Sequence, residues 1–382
     1  MIKKVAFVEN TVPQYRQNYW ERLGRASGYE FTVFLNEPRK TDSIPRITPV
    51  QGVRFAPVRS LGSEHFLTFQ CLPMRRLLSD YDCVVFYSNP RYLSTVMAAS
   101  LREAMGRLTV LRNHFKTAGA SRLTEKIRLR WSKRFKNHLV YMPLEIDEMR
   151  ASGFCNHNLA AWGNGLDSDR ILEARAKWSS EKLYRWQVDR GLNSRPSLLA
   201  VGRHIAKNQY ELLFELISAM EVDARPNLIL IGSGPLTDQY RSCIEELELD
   251  DQVSLPGEIY DEEELAPYFL SADLLVHPGA IGLTAIHALN YGLPVVTHSS
   301  RTMQMPEFTS LKDGVNSFLF PANGGIEELR AAVERGLTVV ANHSYDDRKQ
   351  SRNEISKEVA ANFSTEAMAN RTLLMLDQLL AR

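Results

Sequence analysis

The segment from Asp273 to Thr297 limits the fold more than any other part of this chain. It reads Asp-Leu-Leu-Val-His, a Gly-containing turn, Leu-Thr-Ala-Ile-His-Ala-Leu-Asn-Tyr, then Gly-Leu-Pro-Val-Val-Thr. A short apolar run leads through Gly279 and Gly282 into a helical pattern from Leu283, closed by Gly292 and followed by a second apolar run. That is a strand, a helix and a strand joined by tight turns, the unit from which parallel sheets are built. A Gly-rich turn that opens a helix leaves backbone N–H groups unpaired, and the helix dipole favours an anion beside them. A phosphate is the ligand such a turn suits.

The same rhythm fills both halves. In the first, Val5–Glu9, Phe31–Leu35, Cys83–Tyr87, Leu108–Arg112 and His138–Met142 read as strands. Tyr15–Ala26, Tyr92–Met105 and Glu145–Ser152 read as helices. In the second, strands at Ser197–Val201, Asn227–Ile231 and Val253–Leu255 alternate with helices at Tyr210–Met220, Leu236–Leu247 and Glu262–Leu270. Ile326–Val340 and Thr365–Leu380 close the chain as helices. The expected division is 1–168 and 197–359, each a Rossmann-like α/β domain, with a polar connection over 169–196 and a last helix, about 360–382, packing back on the first domain. Two doubly wound domains in tandem place a ligand at the carboxyl ends of the strands, in a deep cleft that the two domains face.

Composition narrows the class. With 46 basic and 45 acidic residues, the chain lacks the charge excess of a nucleic-acid binder. The scattered Cys71, Cys83, Cys155 and Cys243 fit reduced thiols, and no metal-ligand spacing is present. The start of the chain has no signal-peptide pattern, and no apolar run is long enough to span a membrane. A cytoplasmic protein is expected.

The motifs of the second half, in order, resemble glycosyltransferase family 4, of the GT-B fold. They are Asn164-Gly165-Leu166-Asp167, Val201-Gly202-Arg203 with Lys207, Gly232-Ser233-Gly234-Pro235, Ala272-Asp273-Leu274, Gly282-Leu283…Ala288-Leu289…Gly292-Leu293-Pro294, and Pro306-Glu307 with Asp313-Gly314. The Thr-Ala-Ile-His pattern with Met303–Phe308 is similar to a subgroup of bacterial surface-polysaccharide transferases. The resemblance implies a retaining, metal-independent transferase. A sugar would pass from a nucleotide-sugar, a UDP-sugar first, to an acceptor hydroxyl on a lipid-linked glycan, with no cofactor. It implies catalytic roles for Arg203, Lys207 and His114. Gly234, Gly282, Leu283, Thr284, His287 and Glu307 would hold the donor, and Tyr15 and Arg16 the acceptor. One departure stands out: the family's paired glutamates fall here on Gly279 and His287. A nucleotide-sugar epimerase of the same fold and a non-catalytic scaffold are the alternatives.

Residues 122–136 carry seven basic residues and one acid. Leu123, Ile127, Trp131 and Phe135 share a helix face by spacing. Such a helix suits the anionic inner surface of a plasma membrane, which would make the protein peripheral there. A core-facing stripe with a solvated basic back fits equally well.

Overall fold

The computed structural model describes residues 2–38, 46–62, 67–115 and 122–381, with the backbone alone for 122–124. The chain divides into two compact units, Met1–Asp167 with Phe363–Arg382, and Ser168–Asn362.

The first unit holds strands β1 (Lys3–Val8), β2 (Tyr29–Asn36) and β3 (Val53–Val58), then a small ribbon of β4 (Ser60–Gly62) and β5 (Thr68–Gln70). Strands β6 (Cys83–Tyr87), β7 (Thr109–Asn113), β8 (Asn137–Val140) and β9 (Asn158–Ala161) follow. Its helices are α1 (Gln17–Gly24), α2 (Met74–Ser79), α3 (Leu93–Ala104), α4 (Arg122–Ser132) and α5 (Leu144–Ala151). The main sheet has the order β3-β2-β1-β6-β7-β8-β9 and is parallel throughout. Alternate residues of β1 enter different cores. Val5 and Phe7 meet Tyr19, Trp20 and Leu23 of α1, and Ala6 and Val8 meet Leu77, Ala98 and Ala99 of α2 and α3. A sheet covered on both faces explains why its strands read as unbroken apolar runs.

The second unit holds α6 (Ser168–Ala176), α7 (Ser180–Val188), β10 (Ser197–Val201), α8 (Glu211–Ser218), β11 (Asn227–Ile231), α9 (Thr237–Glu246) and β12 (Val253–Gly257). These are followed by α10 (Glu262–Ser271), β13 (Leu274–His277), α11 (Leu283–Asn290), β14 (Val295–His298), β15 (Ser317–Phe320), α12 (Gly325–Asn342) and α13 (Tyr345–Phe363). Its sheet runs β12-β11-β10-β13-β14-β15, again all parallel. The strand order reverses at β10 and β13. Helices α8, α9 and α12 supply one core with Leu213, Phe214, Tyr240, Ile244, Leu329 and Val333. The final helix, α14 (Thr365–Leu380), returns to the first unit. Its Met368 and Leu376 join Phe7 and Trp20, and Tyr19 Oη lies 3.1 Å from Thr372 Oγ1.

The stretch 169–196 is no mere link. Its first two thirds form α6 and α7, both packed on α10, because Ile171 and Ala174 are buried and Trp186 meets Tyr268 edge-on at 4.9 Å. The apolar face of the 122–136 segment turns inward, while Lys126, Arg130, Lys133, Arg134 and Lys136 stay exposed. Phe135 lies in the core, Trp131 packs against it, and Arg128 is buried, donating to the carbonyls of His114 and Phe115. Nothing in the structure supports a membrane contact through that segment; Ile127 alone of its described apolar members is exposed, and the side chain of Leu123 lies outside the described residues. No described helix is long and apolar enough to cross a membrane.

Two buried imidazoles make the fold acid-sensitive. Burial, the largest influence on each, holds His138 and His277 down at about 4. In the unfolded chain a histidine titrates near 6.5. Between pH 6.5 and 4 the unfolded chain therefore binds protons that the folded chain does not, and stability falls as pH drops through that window. At pH 5 the loss is roughly 2 kcal/mol per site at 1.36 kcal/mol for each pH unit. Urea midpoints should be lower at pH 5 than at pH 7, and His138→Phe should flatten the dependence of the first unit. Equal midpoints at the two pH values would contradict this.

Candidate active site of the second unit

In a parallel sheet all carboxyl ends lie on one edge, and the reversal between β10 and β13 leaves a crevice there. The loop after β10 and the turn after β13 border it. They are packed together tightly. Gly279 N donates to Asn208 O at 3.1 Å, and a β-carbon built on Gly279 would sit 2.1 Å from Lys207 O and 2.8 Å from Asn208 Cα. No side chain fits at this position in this backbone conformation. Gly234, on the neighbouring loop after β11, is equally confined: a β-carbon would sit 2.5 Å from His204 O.

The turn into α11 is held by Gln304. This buried amide accepts from Ile281 N at 2.7 Å and donates to Thr297 Oγ1 at 3.0 Å and His298 O at 2.8 Å. Gly282 is the N-cap and no side chain caps the helix. The N–H groups of Leu283 and Thr284, both half-buried, are among those a helix cannot pair internally. Thr284 Oγ1 lies 3.5 Å from Val201 O, at the end of β10.

Two cations stand on the β10 loop. Arg203 is exposed, and its guanidinium has no hydrogen bond or ion pair among the described residues, while its carbonyl accepts from Asn208 Nδ2 at 2.7 Å. Lys207 is exposed and, among the described residues, hydrogen-bonds only to Met305 Sδ, at 3.3 Å. Met305 also neighbours Gly282, 3.6 Å from a β-carbon built there. Glu307 is buried on the short helix Pro306–Ser310, with Oε2 3.8 Å from that same point. Lys207, Gly282 and Glu307 are thus gathered around Met305 at the start of α11, beside Leu283 and Thr284, and Arg203 stands on the same β10 loop as Lys207.

His287, one turn into α11, is turned toward α10. Its Nε2 donates to Glu262 Oε1 at 2.9 Å, Tyr291 Oη donates to the same oxygen at 2.6 Å, and its ring lies 4.4 Å from that of Phe269. Glu262 Oε2 has no hydrogen bond among the described residues. Burial alone would raise this carboxyl, but His287 and the two hydrogen bonds hold it below the ordinary value, so it is ionised at neutral pH. Sequence reasoning missed Glu262, which is one of four consecutive acids, Asp261–Glu264, that read as a helix start. It also missed Gln304. The Met-Gln-Met-Pro-Glu run was visible, but the amide's partners are remote in sequence.

The remaining candidates lie in the first unit. His114 follows β7 and stacks on Tyr141, with centroids 3.6 Å apart. Tyr15 is 42% exposed. Arg16 is corrected: it is buried, donates to Gly165 O at 2.6 Å and to Asn164, and contacts Met368. Its guanidinium ties the 164–165 turn to α14 and is not open to an acceptor. Among the described residues no cluster of His, Cys, Asp or Glu could hold a metal ion.

The family description "Glycosyl transferases group 1" matches residues 195–338, which span this crevice. The second unit carries a group 1 glycosyltransferase domain. Solved structures of the same fold align over nearly the whole chain. Sucrose-phosphate synthase from Thermosynechococcus elongatus is 19% identical, with TM-score 0.67, covering 99% of each chain. Anabaena HepE, in complex with UDP, is 14% identical, with TM-score 0.69, covering 98% of this chain and 100% of that one. The lipopolysaccharide outer core galactosyltransferase WaaB is 14% identical, with TM-score 0.67, covering 98% and 99%. No curated protein matches by sequence. The chain is a glycosyltransferase of the GT-B fold, with two Rossmann-like sheets.

Proposed function

We propose that this glycosyltransferase moves a hexosyl group from a UDP-sugar to a hydroxyl of a lipid-linked glycan, with retention at the anomeric carbon and without a metal. One observation carries the reading: the β10 loop, whose Arg203 and Lys207 have no carboxylate partner among the described residues, meets the uncapped start of α11 at the point where strand order reverses. A diphosphate there accepts from the Leu283 and Thr284 amides and faces both cations. When the glycosidic C–O bond breaks, the electron pair goes to the β-phosphate oxygen, and fixed cations stabilise that charge. The acceptor oxygen bonds to the anomeric carbon, and its proton passes to the departing phosphate. No protein carboxylate need become covalently attached. Glu307, beside Gly282, is assigned to hydroxyls of the donor sugar, and Gly234 to the close approach of the nucleotide. His114 and Tyr15 are the first unit's assignments for sugar and acceptor.

HepE has been captured with UDP-glucose, which supports a UDP-sugar here, and the lipopolysaccharide target named for WaaB supports a glycan acceptor. The test is UDP release from a panel of UDP-, GDP-, ADP- and dTDP-sugars with glycan acceptors in the presence of EDTA. UDP release that depends on acceptor and survives EDTA is expected. Activity with none of the donors, or only with added metal, would contradict the proposal.

The ribose of the donor is assigned to Glu262. A nucleotide with its phosphates at Leu283 places the ribose about one helical turn along α11, roughly 6 Å away, where His287 stands. His287 spends Nε2 on Glu262, which leaves Glu262 Oε2 to accept from a ribose hydroxyl. A hydrogen bond to a charged group contributes about 1.5–3 kcal/mol. Glu262→Gln should therefore raise the donor KM about tenfold or more with kcat little changed, the mark of lost ground-state binding. An unchanged KM would remove Glu262 from the site.

A further inference from the structure

A cavity of about 1040 Å³ opens at the other edge of the second unit's sheet. Its wall includes Asp273 and Pro294, which immediately precede β13 and β14, together with parts of α6, α7, α12 and α13. The start of α11 follows the carboxyl end of β13, so the cavity and the donor crevice lie at opposite ends of the same strands.

Two features distinguish this cavity. The first is apolar: Leu172, Tyr184, Val315 and Val339 line it with 41%, 59%, 66% and 43% of their surfaces exposed. Large apolar side chains scattered singly on a surface need no explanation, but four around one cavity do. The second is charge. The ionised groups lining it are Arg175, Arg348, Lys349 and Arg352 against Asp273 alone. Arg352 is a half-buried part of the lining, donating to Leu270 O at 3.0 Å and to Ala272 O, with no carboxylate in ion-pair contact among the described residues. Burial, with Arg175 and Arg348 acting in the same direction and Asp273 against them, holds its guanidinium down at about 10. Among the described residues Arg175 has only the Asn353 side chain, at 2.6 Å, as hydrogen-bond partner. Asp273 is already shared, 3.7 Å from Arg348 and accepting from Ser197 N at 2.9 Å. Positive charge is therefore in excess in the lining of an apolar-walled chamber.

We infer that this cavity is a second ligand site, for an organic anion with an apolar body. Guanidinium groups recognise carboxylate and phosphate alike. The apolar wall takes the body, and the volume matches the upper range of small-molecule pockets. This inference does not depend on the assignment of the donor crevice.

The test is calorimetric titration of the whole chain, below the micellar concentration, with dodecyl phosphate, dodecanoate, dodecyl maltoside and inorganic phosphate. One or both amphiphilic anions should bind one to one. The neutral amphiphile and bare phosphate should bind at least tenfold more weakly, and comparing the two anions identifies the head group. Arg175→Gln should weaken binding at least tenfold. Val315→Asp, a change at an exposed position, should do the same without altering the melting temperature. Binding by neither anion, equal binding of the neutral amphiphile, or unchanged binding in a folded Val315→Asp protein would overturn the inference.

Discussion

Arg203→Ala should lower the rate of sugar transfer by about two to three orders of magnitude, the loss seen when one fixed donor to a developing oxyanion is removed. The fall should appear in both kcat and kcat/KM, because the negative charge grows on the leaving phosphate as the bond breaks. Stability should hardly change. The guanidinium is exposed and has no hydrogen bond or ion pair among the described residues, so nothing in the fold depends on it. Exposed substitutions of this kind usually alter stability by less than about 0.5 kcal/mol. Arg203→Lys retains the charge but not the planar fork, and should recover only part of the rate. A folded Arg203→Ala protein with full activity would remove Arg203 from the chemistry.

Gly279→Glu, which restores a carboxylate where related transferases carry one, should damage this protein rather than improve it. The β-carbon would sit 2.1 Å from Lys207 O and 2.8 Å from Asn208 Cα, and both are backbone atoms. Relief requires moving the loop that carries Arg203 and Lys207. Overpacking of this kind costs about 1–3 kcal/mol or more. For a unit of this size that lowers the melting temperature by several degrees, at about 2–4 °C per kcal/mol. Transfer should fall with it, because the cations are displaced. Gly279→Ala should behave similarly, since the clash begins at the β-carbon. A Glu variant with an unchanged melting temperature and a higher transfer rate would show that the loop yields easily and that the missing carboxylate is a lost contact.

The legible parts of this chain were those with local punctuation. Glycines and prolines bracket the strands of the second unit, so β10, β11, β13 and β14, and the start of α11, follow from the sequence to within about two residues. Helix α13 does not, because its nineteen residues bury only Ile355, Ser356 and Val359 and carry no apolar stripe. The loop strands β3 to β5 are short or interrupted by Pro57, and they give no clear alternation. Site residues followed the same division. Arg203, Lys207 and Thr284, which the proposed site uses, sit on the β10 loop and at the start of α11 near motif glycines. Arg16 was misread because its partners, Asn164, Gly165 and Met368, are far away in the chain. Glu262 was hidden among like neighbours, and only the approach of α11 singles it out.

The central claim is that a nucleoside diphosphate binds where the β10 loop meets the start of α11. Calorimetric titration of UDP into the intact protein in EDTA, repeated with Arg203→Ala, tests it most directly. The expected result is saturable one-to-one binding to the wild type, weakened at least tenfold in the variant. Absence of binding by UDP and by every other nucleoside diphosphate up to millimolar concentration, or equal affinity in the two proteins, would contradict it.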